Sequence, residues 1–195
     1  MAYSLYIDVL FALFCILETK LISGEFKESL LNVYRGEQFG EAFYETLLAE
    51  TDDENEKVIL ASLLQLETEG KAKVRPFIIK YGLPAYDNPQ SITGGVETAR
   101  RLANESWRTK FEAMAVIIRE QGLPQYEGLI KKVDPDEEPE AAELAEFVGA
   151  HERVILEVCE NVVNDTPNPT SPLDDFLHFP ITSRTLLNAE NLWPK

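Results

Sequence analysis

Helical periodicity, with no competing strand signal, constrains this chain more than any other feature. No stretch sustains the period-two alternation of a half-buried strand, and runs of Val, Ile and Thr bounded by turns are scarce. Apolar residues instead recur at three- and four-residue spacing over long segments. The first segment covers about Tyr3–Ile22 and stops near Gly24. A second runs from about Phe26 to Glu50, with Leu30, Val33, Tyr34, Glu37, Gly40, Tyr44 and Leu47 on one face. A third begins near Thr51, where Thr51-Asp52-Asp53-Glu54 has capping-box spacing, and its apolar face is Leu63, Leu66, Gly70, Val74, Phe77 and Ile78. The short connection between these two makes them antiparallel neighbours.

Gly82-Leu83-Pro84 reads as a helix stop, a glycine for the left-handed position followed by an apolar contact and a proline. The triplet recurs at Gly122-Leu123-Pro124, and a tyrosine follows each (Tyr86, Tyr126). The flanks do not match, so the recurrence is repeated stop chemistry, not a structural repeat. Ala85–Gly95 reads as a loop, Val96–Asn104 as a short helix, and Ser106 as the N-cap of a longer helix carrying Trp107, Phe111, Met114, Ala115 and Ile118. Pro139 opens the last helix, which runs to about Val163 with Leu144, Phe147, Val148, His151, Ile155, Val158 and Val162 inward. Beyond Asp165, Pro167, Pro169, Pro172 and Pro180 forbid regular helix. The tail keeps Phe176, Phe179, Leu186, Leu187 and Trp193, so it is expected to lie on the body or on a partner. The expected organisation is one domain: an N-terminal helix over 1–24, a helical bundle over 26–164 and a surface-wrapping tail over 165–195.

Charge narrows the partners. Asp and Glu number 34 against 18 Lys and Arg, a net charge of −16, which argues against a nucleic-acid or anionic-membrane partner. Cys15 and Cys159 are too few and too far apart for a disulfide framework or a metal motif, and read as core residues of a reducing, cytoplasmic compartment. Leu5–Leu17 is strongly apolar, but Asp8 interrupts it, it is shorter than the ~20 residues of a spanning helix, and no basic region precedes it. It reads as a packed helix, apolar almost all round, and with the aromatic tail it suggests a homodimer.

Three polar residues stand where the pattern asks for apolar ones: Glu37, Glu67 and His151. Counted from the first hairpin turn and along the last helix, they fall at one height near mid-bundle. Inward carboxylates and an imidazole at one level are what bundles use to build metal sites. Arg35-Gly36-Glu37-Gln38, the Glu67 helix and Ala150-His151-Glu152-Arg153-Val154-Ile155-Leu156 resemble the corresponding helices of rubrerythrin and other ferritin-like di-iron proteins, over roughly Phe26–Asp165. The chain is also similar to bacterial ferritin-like proteins of unassigned role. The resemblance implies an all-α fold, a ferritin-like four-helix bundle with an extra N-terminal helix and an irregular C-terminal tail.

The chain departs from that family's metal pattern. The Glu-x-x-His motif is missing: Gly70 stands three residues after Glu67, and Val148 three before His151. Glu120, on a face shared with Ala113, Val116, Ile117 and Leu123, is the best-placed acid on the third bundle helix. Glu37, Glu67, Glu120 and His151 are therefore the candidate metal ligands, enough for one divalent ion and too few for the usual pair. Two alternatives stand. In the preferred one the di-iron site is lost, no cofactor is bound, the polar residues form a core network that includes Lys71, and the protein has a binding or assembly role. In the other, iron or manganese serves an oxidoreductase acting on dioxygen or peroxide, with its substrate unknown. Gly36 and Gly40 read as close-packing positions, and Glu41 and Glu45 as a solvated flank. Ferritin-like topology needs a crossover along the bundle. Leu83–Thr93 spans at most ~40 Å, which suffices only if one helix breaks at Pro76 or the next begins late, at Ser106; the late start is favoured, with Val96–Asn104 inside the crossover. A plain up-down-up-down bundle is the other topology.

Overall fold

A computed structural model describes residues 22–181. The helix expected at Tyr3–Ile22, Cys15 and the tail beyond residue 181 lie outside the described residues. Among those described there is helix and no strand. Helix α1 spans Gly24–Ala49, α2 Glu54–Lys80, α3 Pro89–Leu102, α4 Trp107–Ile117, α5 Leu123–Glu127 and α6 Pro139–Val163. A π turn, Ile118–Gly122, joins α4 to α5.

The helices start where short polar side chains cap free N–H groups. Ser23 accepts from the Phe26 N–H, Asn88 from Ser91 and Ser106 from Thr109. Asp53, not Thr51, caps α2, accepting from Asn55 and Glu56. The Thr51 hydroxyl donates back to the Leu47 carbonyl instead. Pro76 sits inside α2 without ending it. Gly82, at φ +69°, provides the expected stop. Gly122 does not: its φ of −64° is helical, and the chain continues through the π turn into α5 with Pro124 in its first turn.

Tertiary contacts fix the directions. Ser23 Oγ meets the Lys132 carbonyl at 3.4 Å, and Tyr81 meets Glu138 at 3.4 Å. So the start of α1, the end of α2, the end of the α4–α5 stretch and the start of α6 share one end of the molecule. α1 and α6 run away from that end, and α2 and α4–α5 run towards it. The intervening chain climbs back beside α1. The Tyr34 hydroxyl donates to Ala85, the Gln38 amide donates to Tyr86 and accepts from the Asn88 N–H, and Gly95 lies against the Phe39 carbonyl. The return helix, expected at Val96–Asn104, begins seven residues earlier at Pro89, because Asn88 and Pro89 supply an N-cap and first turn.

Two apolar clusters fill the interior. One contains Leu47, Leu63, Leu66, Phe111, Ile155 and Val158; the other contains Phe26, Val33, Tyr34, Val74, Ile78, Leu129 and Val148. The described part of the tail lies on the body. Leu173 is buried, Phe176 packs on Phe147 with ring centroids 6.3 Å apart, and the His178 and Phe179 N–H groups donate to the Glu69 carboxylate. No described helix is long and apolar enough to cross a membrane.

Candidate metal centre

Between the two apolar clusters lies a layer of buried ionisable groups. α1 brings Glu37, α2 brings Glu67, and α6 brings His151 and Glu152; the four are 1%, 6%, 1% and 7% exposed. Carboxylates at this depth are rare unless paired, yet none of the buried polar side chains among the described residues is a lysine or arginine. Lys71 does not join the network: it pairs with Glu41, which also accepts from the Thr68 hydroxyl. Glu41 is thus a partly buried ion pair and not simply a solvated flank.

Missing side chains make room for the layer. A Cβ built on Gly70 would fall on Glu37 Oε2 and lie 2.7 Å from His151 Nε2. One on Gly40 would collide with the Glu67 carboxylate, one on Gly122 with that of Glu152, and one on Gly36 with the Tyr126 hydroxyl. The expectation that Gly36 and Gly40 permit close approach holds, but what approaches is a polar head group.

Glu37, Glu67 and His151 offer one ligand atom each, all within 4.8 Å of one another. Opposed ligands of a transition ion stand about 4.2 Å apart at metal–ligand distances near 2.1 Å, so a small closure would complete three sides of a coordination shell. His151 Nε2 is 3.7 Å from Glu37 Oε2 and donates to the Leu66 carbonyl at 3.2 Å. In that tautomer Nδ1 is a buried acceptor without a partner, and Glu37 Oε2 also has none. Such orphans cost about 1–3 kcal/mol each. Glu120 joins nothing here: it is exposed on the π turn. The face it was assigned to is the outer one, with Val116 and Ile117 45% and 41% exposed. The inner face runs through Phe111, Met114, Ala115 and the half-buried Ile118 and arrives at Gly122, where there is no side chain.

Electrostatics follow from burial without a counter-charge. Desolvation holds the Glu37 and Glu67 carboxyls well above the usual carboxylate range, and neighbouring carboxylates push both further. Burial raises Glu152 to about 7 and lowers His151 to about 4. The Tyr126 phenol is likewise pushed up, by burial first and then by Glu37. Without a cation the layer is therefore a store of protons around a neutral imidazole.

A cavity of about 450 Å³ opens beside the layer. Gly36, Gly40, Phe43, Met114, Tyr126 and Ile155 form part of its wall, and Glu67 and Glu152 face it. The π turn borders it with Ile118, Gln121 and Gly122. Single π turns inside helices frequently mark functional sites.

These elements define a class: an all-helical protein with an internal carboxylate–imidazole layer opening on a cavity. No protein-family model, curated protein or solved structure matches the chain.

Proposed function

We propose that this chain is a ferritin-like four-helix bundle that has lost the capacity for a di-iron pair and keeps a site for one divalent iron or manganese ion, held by Glu37, Glu67 and His151. The observation that carries this reading is the buried layer itself, three carboxylates and a neutral imidazole with no buried cation among the described residues and one carboxylate oxygen, Glu37 Oε2, lacking any partner there. A divalent ion supplies the missing charge and takes up the orphan oxygen; carboxylate and imidazole donors suit iron and manganese. The direction of α3 beside α1 supports the ferritin-like topology over an up-down-up-down bundle. Loss of the pair follows from the missing donors. The space of a Gly70 side chain is taken by Glu37 and His151, and Val148 is buried among apolar neighbours.

In this reading the chain's own groups bind and orient. Glu37 and Glu67 would hold such an ion as carboxylates, and His151 would hold it through Nε2 in the tautomer that carries its proton on Nδ1. Iron or manganese at this place supplies redox chemistry towards dioxygen or peroxide, and the cavity gives a small molecule access to it. Elemental analysis of protein incubated with Fe(II) or Mn(II) without oxygen and then desalted tests the site. The expected result is close to one ion per chain, lost in Glu37→Gln; a metal-free wild type sinks the reading. The Nε2–H bond to Leu66 favours a second reading, in which the layer stays protonated and the bundle serves only binding or assembly. In that case chelator leaves the melting temperature unchanged. Self-association as a homodimer through the apolar N-terminal segment belongs to either reading; light scattering that returns a monomer mass at tens of micromolar rules it out.

A further inference from the structure

Glu152 has a different position from the other acids of the layer. It lies outside the Glu37–Glu67–His151 ligand set, is 7% exposed, and makes no hydrogen bond or ion pair with any of the described residues. Its carboxylate fills the space a side chain at Gly122 would take, and both residues line the cavity. It is a buried carboxylate, unpartnered and facing an open space.

The charge count makes this position informative. Glu37, Glu67 and Glu152 carry three negative charges when ionised, a divalent ion supplies two positive charges, and His151 is neutral. One negative charge remains, on Glu152, the cavity-lining carboxylate outside the ligand set. Part of the wall is apolar and aromatic, with Phe39, Phe43, Tyr44, Met114 and Ile155, and part is polar, with Asn32, Ser91, Thr98, Gln121 and Gln125. Carboxylate and aromatic faces together are the recognition chemistry of organic cations. An anion would meet Glu67 and Glu152 as like charges, and a neutral guest would leave Glu152 uncompensated. A second metal ion would find Glu152 and Glu67 but no second imidazole, since His178 is exposed and bound to Glu69. At about 450 Å³ the space has the size of a small-molecule site.

We propose that the cavity binds an organic ammonium ion, a primary or secondary amine with a compact apolar or aromatic body, its charged nitrogen on the Glu152 carboxylate. This rests on the single-ion reading, which assigns Glu37 and Glu67 to the metal and leaves Glu152 over. Arg35 lines the same cavity and is half-buried, without an ion pair among the described residues. A guest with an anionic group at its far end can meet that guanidinium, so the class includes zwitterions that enter amine first.

The test is isothermal titration calorimetry on metal-loaded protein near pH 7.5 with benzylamine, benzyl alcohol and benzoate, which are matched in shape and differ in charge. Benzylamine is expected to bind at least tenfold more tightly than either the alcohol or benzoate. Glu152→Gln keeps the shape of the wall and should erase the preference while the metal content stays at one ion. Should that variant fail to fold, Met114→Trp, at another point of the lining, takes up cavity space and should abolish benzylamine binding. Equal affinity for amine and alcohol, or a preference that survives Glu152→Gln or Met114→Trp, overturns the proposal. Elemental analysis of the same samples separates it from the reading beneath it. One ion without amine preference sinks the amine proposal alone, and a metal-free protein sinks the single-ion reading. Two ions, one of them lost in Glu152→Gln, assign Glu152 to a second metal and overturn the amine proposal.

Discussion

Replacing glycine by alanine inside a helix ordinarily stabilises a protein by up to about 1 kcal/mol. Gly70 and Gly149 are both mid-helix, in α2 and α6, and both are buried, but they should respond with opposite sign. At Gly149 an added Cβ finds its nearest neighbours at 3.6–3.7 Å, ordinary contact with Glu127 and Arg153. Gly149→Ala should therefore keep the full gain. At Gly70 the same atom lands on Glu37 Oε2 and 2.7 Å from the His151 ring. The carboxylate ends a flexible chain, but the imidazole is stiff, packed on Phe147 at 5.9 Å and bonded to Leu66. Forcing it aside costs about 1–3 kcal/mol of overpacking and about 1 kcal/mol for the strained hydrogen bond. Against the helix gain, Gly70→Ala should lose about 1–3 kcal/mol. For a chain of this size that is a fall of roughly 2–10 °C in melting temperature, beside a rise of roughly 2–4 °C for Gly149→Ala. Calorimetry on metal-free protein reads both. Adding Gly70→Ala to a Glu37→Ala background should cost less than in wild type, because one of the two clashing groups is gone. A Gly70→Ala protein that melts at or above wild type would refute the reasoning, since the polar layer would then yield freely to an added atom.

Other substitutions probe the same layer and its cover. His151→Gln retains a donor and an acceptor and should melt close to wild type without metal, whereas His151→Leu loses the hydrogen bond to the Leu66 carbonyl and should cost about 0.5–1.5 kcal/mol; with metal, chelator should lower the melting temperature of wild type but not of His151→Gln. Glu152, raised to about 7, gives metal-free protein stability that is complete below about pH 4 and lost as pH rises through 7, on the order of 3 kcal/mol; urea titrations from pH 5 to 8 should show this fall, and Glu152→Gln should make it shallower, the remainder belonging to Glu37 and Glu67, whose carboxyls are raised in the same direction. His151, lowered to about 4, acts with opposite sign: its contribution is complete above about pH 6.5 and lost as pH falls through 4, so His151→Gln should soften the acid limb of the same titrations. Glu69→Ala removes the acceptor of the His178 and Phe179 N–H groups and should speed hydrogen exchange there at least tenfold without affecting α6.

What the sequence reveals about this molecule, and what it hides, divides along one physical line. Glu37, Glu67 and His151 are legible because a polar residue at an apolar beat of a regular helix stands out, and α1, α2 and α6 are regular throughout. Their common height follows from a short turn and a fixed rise per residue. Glu120 fails for the converse reason. The phase of α4 has to be carried through Ile118–Gly122, and a π turn adds a residue that no periodicity analysis anticipates. The glycine of Gly122-Leu123-Pro124 then reads as a stop when its role is to be small beside Glu152. Glu152 was overlooked because it follows His151 directly, and adjacent residues on one helix ordinarily face different neighbours. Here the cavity gives the second face an interior of its own. Gly94 and Gly95 hid the start of α3 in the same way. They argue locally against helix, and the close approach of Gly95 to the Phe39 carbonyl is a tertiary reason for glycine that local propensity does not contain. In each case the missing information is a contact between helices, and each such contact borders the polar layer or its cavity. The residues that break local rules are thus concentrated where the proposed chemistry lies, as expected when a site and not the fold alone sets the sequence.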